Sequence, residues 1–377
     1  MTNMYEIQDI LLQYGAAFCA SHNISMEQKK VMTALSECRT AAMGAHKIIC
    51  DDCGHTEISY NSCRNRHCPK CQTFNKEKWI DKQKLCLLPV GYFHVVFTLP
   101  DILNPVVYQN QRTVYNLMFK AVWDTLHELS SDKKYLGAEI GVTAVLHTWG
   151  QQLAYHPHIH CIVSGGGITK DGKWIPSRKK FFLPMRVMAK LFRGKFLAYL
   201  RQPKLEFFND SAYLNDPENF DQFIRSCYVK EWIVYSKPPF RSAETVVEYL
   251  GRYTHRVAIS NNRILSAENG KVTFTWKDYK DRNQRKLMTI SADEFLRRFL
   301  LHVLPKGFNK IRYFGFLGSR YRAAKLQMCR KVLKVTAVHH ARSTDEILHD
   351  MGIISIHSCP ICGSDKLSHY YTVRMNN

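Results

Sequence analysis

Three histidines within residues 141–167 have the spacing of a metal site. His158 and His160 are separated by one apolar residue, in a run that is typical of a strand. Because side chains alternate between the two faces of a strand, both imidazoles are predicted to point to the same side. Two such imidazoles supply half of the ligands of a divalent-metal site, although surface or packing histidines can have the same spacing.

The third ligand is predicted from the strand that comes before. Residues 142–148 and 158–164 are both typical of strands, and residues 149–157 turn between them. If this hairpin is centred near positions 152 and 153, His147 lies opposite His158, within reach of the same ion. The amide oxygen of Gln152 is a competing ligand, and we favour His147.

Two tyrosines are candidates for a nucleophile near this metal. Residues 242–256 are predicted to form a helix, on which Tyr249 and Tyr253 share one face, one turn apart. A phenol with a pKa of about 10 is a poor nucleophile. A metal that polarises a phosphate, with cationic neighbours such as Arg252 and Arg256, would favour the phenolate. Without that context, the pair could be ordinary packing tyrosines.

The cysteines point to structural zinc. The chain has 13 cysteines, and two CxxC pairs lie within residues 50–71. Fourteen residues separate the pairs, close to the spacing of a four-thiolate zinc site. The predicted zinc ligands are Cys50, Cys53, Cys68 and Cys71.

Four other residues of the same segment could bind a second zinc ion. Alternatively, they are core residues or face the DNA. They are Cys38, His46, Cys63 and His67. Three cations interleave with the predicted ligands and are expected to contact phosphates, namely Arg64, Arg66 and Lys70. In the tail, a third CxxC pair lies within residues 357–364, with His357 and His369 as its neighbours, and it leaves a tail zinc open.

The charge indicates a polyanionic partner. Among 377 residues, Lys and Arg number 53 against 32 Asp and Glu, a formal charge of +21. Such a surplus attracts phosphate backbones, so we expect nucleic acid to be the partner. No apolar run approaches the roughly 20 residues that a membrane-spanning helix needs. No signal peptide is visible at the start, so we expect a cytoplasmic location, at the nucleoid when the protein acts.

Together these motifs resemble a known family, the two-tyrosine HUH transposases of the insertion-sequence ninety-one family. In an HUH motif two histidines flank a bulky apolar residue. The resemblance lies in HPHIHCIVSGGG (156–167) followed by YLGRYTHR (249–256), in the cysteine-rich segment 38–72, and in FLLHVLPKGFNKIRYFGFLG (299–318). It covers nearly the whole chain, and it implies that His158 and His160 bind metal and that Tyr249 and Tyr253 are nucleophiles.

The resemblance implies rolling-circle transposition. The protein would nick and rejoin single-stranded DNA at element ends, which could form hairpins, through a 5′-phosphotyrosine intermediate. The cofactors would be catalytic Mg²⁺ or Mn²⁺ and structural Zn²⁺. The alternatives are a plasmid replication initiator or relaxase with the same chemistry, and a non-catalytic zinc-dependent DNA-binding protein.

These expectations require an α+β fold, in which helices flank an antiparallel sheet that carries the histidines. We predict a zinc-binding module at residues 1–75 and an HUH nuclease domain at 85–265. A carboxy-terminal extension of the catalytic region would occupy 266–340, and a tail with a zinc knuckle 341–377.

Overall fold

The computed structural model describes residues 5–178, 183–237, 240, 245–246, 249, 251, 257–279, 281–335, 340–351 and 358–372. The helices are α1 (Ile7–Ser21), α2 (Met26–Ser36), α3 (Pro69–Lys84), α4 (Asn104–Gln109), α5 (Gln111–Ser131), α6 (Met185–Leu200), α7 (Pro217–Val229), α8 (Ala292–Leu300), α9 (Arg322–Val332) and α10 (Thr344–Asp350). The strands are β1 (Ala45–Cys50), β2 (Thr56–Tyr60), β3 (Tyr92–Thr98), β4 (Glu139–Trp149), β5 (Tyr155–Ile168), β6 (Trp174–Pro176), β7 (Val234–Lys237), β8 (Ile264–Glu268), β9 (Lys271–Asp278), β10 (Gln284–Ser291), β11 (Ile311–Gly315) and β12 (Leu367–Thr372).

The central sheet has six strands in the order β11-β4-β5-β3-β7, with β6 beside β5, and every pairing is antiparallel. Helices α5 and α6 cover one face, where Tyr115, Phe119, Phe192 and Phe196 are fully buried. The burial of these aromatic rings contributes to the apolar stabilisation of the sheet. The predicted α+β fold, an antiparallel sheet flanked by helices, is confirmed.

The two longest strands of this sheet, β4 and β5, form the predicted histidine hairpin. His147 lies opposite His158, and Val145 lies opposite His160. The intervening Ile159 is fully buried in the core beneath the sheet. The alternation of side chains therefore places the histidines on the face of the sheet that α5 and α6 do not cover.

A second sheet combines a strand near the carboxy-terminal end with two strands of the cysteine-rich segment. Its strand order is β12-β1-β2, so the carboxy-terminal strand pairs with the first strand of the cysteine-rich segment. The register runs antiparallel from Ala45 opposite Thr372 to Cys50 opposite Leu367. The predicted tail, residues 341–377, is thus connected by main-chain pairing to the predicted zinc module, residues 1–75.

The third sheet, β10-β9-β8, packs with α8 against α1. Their shared core also contains Leu153, from the turn of the histidine hairpin, which is fully buried. Leu153 has a φ of 61°, a left-handed conformation that a leucine rarely adopts. The turn is therefore held by its burial between the amino-terminal helices and the third sheet.

In the part of the chain that the structure describes, every helix is too short or too polar to cross a membrane.

Candidate active site and metal centres

The structure brings together the three predicted histidines. The ring nitrogens of His147, His158 and His160 that could bind a metal all lie within 4.8 Å of one another. His147 and His160 are buried, and His158 is partly exposed. Gln152, the competing ligand, lies in the turn and lines the same cavity. The cluster can hold one divalent cation and leave positions open for a substrate.

Hydrogen bonds orient two of these rings. The Nδ1 of His158 lies 2.6 Å from the carbonyl oxygen of His156, which a protonated Nδ1 donates to. The Nδ1 of His160 lies 2.8 Å from the Nε2 of His94. In both contacts the partner lies at Nδ1, so a cation would bind through Nε2, and metal-binding histidines commonly have such a second partner. Although part of the residue is exposed, desolvation of its ring by the surrounding protein lowers the pKa of His158 to about 4, which favours the neutral imidazole that binds metal.

His94, on β3, is a site residue that the sequence reasoning missed. Its ring stacks on His160 with centroids 5.1 Å apart, and it meets the ring of Tyr249 edge to face, also at 5.1 Å. Burial, with smaller contributions from Lys237 and His158, lowers its pKa to about 3. A single histidine in an apolar strand is usually a packing residue, so only the pairing of β3 with β5 could have indicated its place.

Tyr249 is helical and lies in the same cavity as the histidines. Two nearby residues that are also helical pack closely. Val246 is fully buried against Tyr92 and Ile162, and a side chain at Gly251 would meet the side chain of Ile80 of α3. The Tyr249 ring also contacts Phe240, with centroids 5.0 Å apart, and the Nζ of Lys237 lies 5.7 Å from its centre.

Tyr253, Arg252 and Arg256, the second predicted nucleophile and the two predicted DNA contacts beside it, lie outside the described residues.

The cavity has a volume of about 1000 Å³. The histidines and Tyr249 line it, and so does a second group of residues, here called the third-sheet wall, from β9 and from the positions next to β8 and β9. That wall presents Arg263, Trp276, Lys277 and Tyr279. The lining also includes the carboxylates Asp101 and Asp278. The histidines, cations and aromatic rings of this space could together bind a polyanion that carries flat bases.

The cysteines form two clusters, and this corrects the predicted zinc ligands. Cys68 and Cys71 lie with Cys38 and Cys63, where the Sγ atom of Cys38 is 3.6 Å from those of Cys68 and Cys71. The Sγ atoms of Cys63 and Cys71 are also 3.6 Å apart. Sulfurs of a tetrahedral zinc site with bonds of about 2.3 Å lie about 3.8 Å apart, so the spacing fits zinc.

Cys50 and Cys53 lie instead with Cys359 and Cys362 of the tail. The Cys50–Cys362 and Cys53–Cys359 sulfur distances are 3.5 and 3.6 Å. The predicted set failed because the two CxxC pairs are close in sequence but belong to different elements. Cys50 ends β1, which pairs with the tail, whereas Cys68 caps α3, which packs against the amino-terminal helices.

The two histidines of the alternative second zinc set lie outside both thiol clusters. His67 accepts a hydrogen bond at 3.5 Å from the main-chain amide of Leu304, and burial lowers its pKa to about 3. His46 lies on β1, the central strand of the second sheet, opposite Ser59 and Tyr371. Of the four residues in that set, Cys38 and Cys63 are therefore placed at a metal site and the histidines are not.

The predicted phosphate contacts of this segment differ in their surroundings. Arg64 is exposed. Arg66 instead donates to the carbonyl oxygen of Phe308 at 2.6 Å. Lys70 pairs with Glu6 at 2.5 Å and donates to Gln8 at 2.8 Å, which ties α3 to the first helix. Arg66 and Lys70 thus make contacts within the fold, whereas Arg64 is exposed to solvent.

Two family models match the chain. One, described as "Putative transposase", matches residues 141–325, which include the three histidines and Tyr249. The other, described as "Transposase zinc-binding domain", matches residues 10–99. These include the cluster of Cys38, Cys63, Cys68 and Cys71, here called the Cys38 cluster. The amino-terminal segment is therefore a zinc-binding module that precedes the transposase domain.

Two relatives agree with these matches. The chain is 49% identical over 373 residues to "Putative transposase y4qJ" of Sinorhizobium fredii, covering 96% of this chain and 94% of the relative. It is 29% identical over 313 residues to the transposase for insertion sequence element IS801 of Pseudomonas savastanoi pv. phaseolicola, covering 81% and 74% of the two chains. No solved structure matches the chain significantly. The histidine hairpin, the cysteine-rich module and these relatives together show that the chain belongs to the transposases of the insertion-sequence ninety-one (IS91) family.

Proposed function

We propose that this transposase nicks and rejoins single-stranded DNA by tyrosine attack beside a divalent cation. The observation that carries the proposal is that Tyr249 shares one cavity with His147, His158 and His160. His94 connects the two groups, because it contacts both His160 and Tyr249. This arrangement supports the HUH chemistry that the sequence resemblance implies.

The three imidazoles fit a divalent cation, since burial keeps His158 neutral and hydrogen bonds direct the rings. Mg²⁺ or Mn²⁺ bound there would polarise the scissile phosphate and stabilise its developing charge. Imidazole donors suit transition metals better than Mg²⁺, which prefers oxygen ligands, so the donor set favours Mn²⁺.

In the proposed reaction, the Tyr249 phenol releases its proton to solvent and its oxygen attacks phosphorus, and the departing 3′-oxygen takes up a proton from solvent. A bond forms between the Tyr249 oxygen and phosphorus, and the bond from phosphorus to the 3′-oxygen breaks. The products are a 5′-phosphotyrosine and a free 3′-hydroxyl, so the number of phosphoester bonds is unchanged and the step can reverse. The positive charge of Lys237, 5.7 Å from the ring centre, favours the phenolate.

We propose Tyr253 as the second nucleophile. Four residues along a helix correspond to a rise of about 6 Å, so both phenols could use one cation. Two attacks are needed because an element must be released from one strand and joined to another. A second phenol could attack while the first still holds its strand.

The residues of the third-sheet wall favour single-stranded DNA as the substrate. Tyr279 is 63% exposed and Trp276 is partly exposed, so both rings can stack on unpaired bases. Lys277 and Arg263 line the same wall and can neutralise phosphates. We propose element ends as the substrate, held between this wall and the histidines, with Arg64, Arg252 and Arg256 as further DNA contacts.

A nicking assay tests the proposal. The full chain is incubated with labelled single-stranded oligonucleotides from the element ends and Mn²⁺, and products are separated under denaturing conditions. We expect a covalent protein–DNA product that Tyr249→Phe and Tyr253→Phe each reduce and that the double variant lacks. The matched control is Tyr235→Phe, a tyrosine that lines the same cavity and should leave nicking unchanged. Nicking by the double variant at the normal rate would overturn the proposal.

A further inference from the structure

The CxxC pair of the tail and that of the amino-terminal module form the same turn. In each, a glycine follows the second cysteine and donates its main-chain N–H to the carbonyl oxygen of the first, at 2.9 Å for Gly54 and for Gly363. Both glycines have left-handed φ values, 71° and 74°, that other residues rarely adopt. The shared turn directs both thiols of a pair to one point, as in the knuckles of zinc-binding modules.

The two knuckles face each other. The sulfurs of Cys50 and Cys362 are 3.5 Å apart, those of Cys53 and Cys359 are 3.6 Å apart, and all four lie within 4.8 Å of one another. These separations are close to the roughly 3.8 Å expected between thiolates on one tetrahedral zinc ion. They are well beyond the roughly 2.05 Å of a disulfide bond.

Polar contacts hold the tail knuckle against the amino-terminal one. The amide of Asp51 donates to the carbonyl oxygen of Lys366 at 3.0 Å. Asp52 accepts from the hydroxyl of Ser364 at 2.7 Å and pairs with the Nζ of Lys366 at 3.2 Å. The hydroxyl of Ser368 donates to Asp51 at 3.0 Å. The four thiols therefore meet where the tail knuckle and the amino-terminal knuckle are held together by polar contacts.

The sheet β12-β1-β2 has almost no apolar core to hold it. All residues of β2 are exposed. Among the described residues of the three strands and the two knuckles, the buried ones are Cys50 and Cys359. Three short strands without a buried apolar face are not stable on their own. A structural metal supplies the missing folding free energy in small modules of this kind.

We propose that Cys50, Cys53, Cys359 and Cys362 bind a zinc ion that fastens the carboxy-terminal strand to the amino-terminal module. This ion is separate from the one at the Cys38 cluster, whose four ligands all lie within residues 10–99 of the matched zinc-binding domain. The zinc-binding module is complete only with the tail, since its second site takes half of its ligands from there. A chain truncated before Cys359 would lose this ion and leave Cys50 and Cys53 as reactive thiols.

The test measures zinc content and thiol protection in the full chain. Zinc per chain is counted by metal analysis after dialysis, and native protein is treated with N-ethylmaleimide before each cysteine is mapped by mass spectrometry. In the unmodified protein we expect Cys50, Cys53, Cys359 and Cys362 to resist alkylation until a chelator removes zinc. The double variant C359S/C362S should bind one zinc ion fewer and should expose Cys50 and Cys53, while Cys38 and Cys63 stay protected.

Two further variants separate the metal site from a folding defect. C19S removes an exposed thiol outside both clusters and should change neither zinc content nor protection. C362H should retain the ion, because three thiolates and one imidazole form a common zinc set, whereas C362A should lose it. The proposal is overturned if C359S/C362S keeps the full zinc content, or if Cys50 and Cys53 react in the unmodified protein as readily as Cys19. Loss of protection at Cys38 and Cys63 in C362A and in C362H alike would also overturn it.

Discussion

The imidazole rings of His94 and His160 are in direct contact. The Nε2 of His94 lies 2.8 Å from the Nδ1 of His160, and the rings stack with centroids 5.1 Å apart. The same His94 ring meets Tyr249 edge to face. One buried side chain on β3 thus contacts both a proposed metal ligand and the proposed nucleophile. In the proposed mechanism, His94 is a positioning residue.

Replacement of His94 should weaken metal binding more than it weakens DNA binding. Loss of a partner behind a metal-binding histidine typically lowers metal affinity by about 10- to 100-fold. We therefore expect His94→Ala to raise the Mn²⁺ concentration needed for half-maximal nicking by a similar factor, with activity partly restored at high Mn²⁺. His127→Ala, at an exposed position on α5, is the control. An unchanged Mn²⁺ requirement in His94→Ala would exclude the positioning role.

The histidine cluster predicts that nicking requires a divalent cation and that Mn²⁺ serves better than Mg²⁺. Nicking should stop in EDTA, return with Mn²⁺ at lower concentrations than with Mg²⁺, and be abolished by His160→Ala. DNA binding by His160→Ala should stay close to normal, because affinity rests mainly on the cationic surface. Gel-shift and nicking assays on the same protein preparation measure both. Full nicking in EDTA would be incompatible with a role for the cation.

The aromatic wall predicts a specific loss of single-strand affinity. Stacking of one base on an aromatic side chain contributes about 1–3 kcal/mol, so Tyr279→Ala should weaken binding of single-stranded DNA by about 5- to 150-fold. Tyr321→Ala is a matched control, because Tyr321 is 61% exposed and Tyr279 63%, and Tyr321 does not line the cavity. Fluorescence anisotropy with short oligonucleotides measures the affinities. Equal effects of the two substitutions would contradict a stacking role for this wall.

Burial of Leu153 predicts an effect on the free energy of unfolding. It is fully buried where the histidine turn meets the amino-terminal helices and the third sheet. Leu153→Ala should lower the free energy of unfolding by about 2–5 kcal/mol, the usual range for a buried leucine. Leu12→Ala, at a position that is 64% exposed on α1, should change it by less than about 0.5 kcal/mol. Urea unfolding followed by circular dichroism compares the two, and similar midpoints would show that the turn is not anchored by Leu153.

Local relationships could be predicted from the sequence and long-range ones could not. The position of His147 opposite His158 follows from side-chain alternation and a short turn, and the structure has that register. The partners of Cys50 and Cys53 lie some 300 residues away in the tail, at Cys359 and Cys362. Spacing within one segment could not reveal them, because sulfur ligands are equivalent and any nearby CxxC pair satisfies the same rule.

His94 shows the same limit for the active site. On its own, the strand YFHVVFT indicates a buried strand, and its histidine has no neighbouring motif. Its contact with His160 arises only because β3 pairs with β5 in a particular register, which places His94 opposite Ile162. Sheet order is a property of the whole chain. The sequence could therefore predict that the three histidines lie together, but it could not predict the contact between His94 and His160.

The most direct measurement is mass spectrometry of the covalent product that forms when the unmodified protein nicks a single-stranded element end in Mn²⁺. After digestion of protein and DNA, the nucleotide should remain on the peptide that contains residues 249–256, as a 5′-phosphotyrosine. We expect modified Tyr249 and modified Tyr253 in separate molecules of the same sample. Nucleotide on Tyr253 alone would contradict the two-tyrosine relay, and nicking with no nucleotide on either tyrosine would contradict the proposed chemistry altogether.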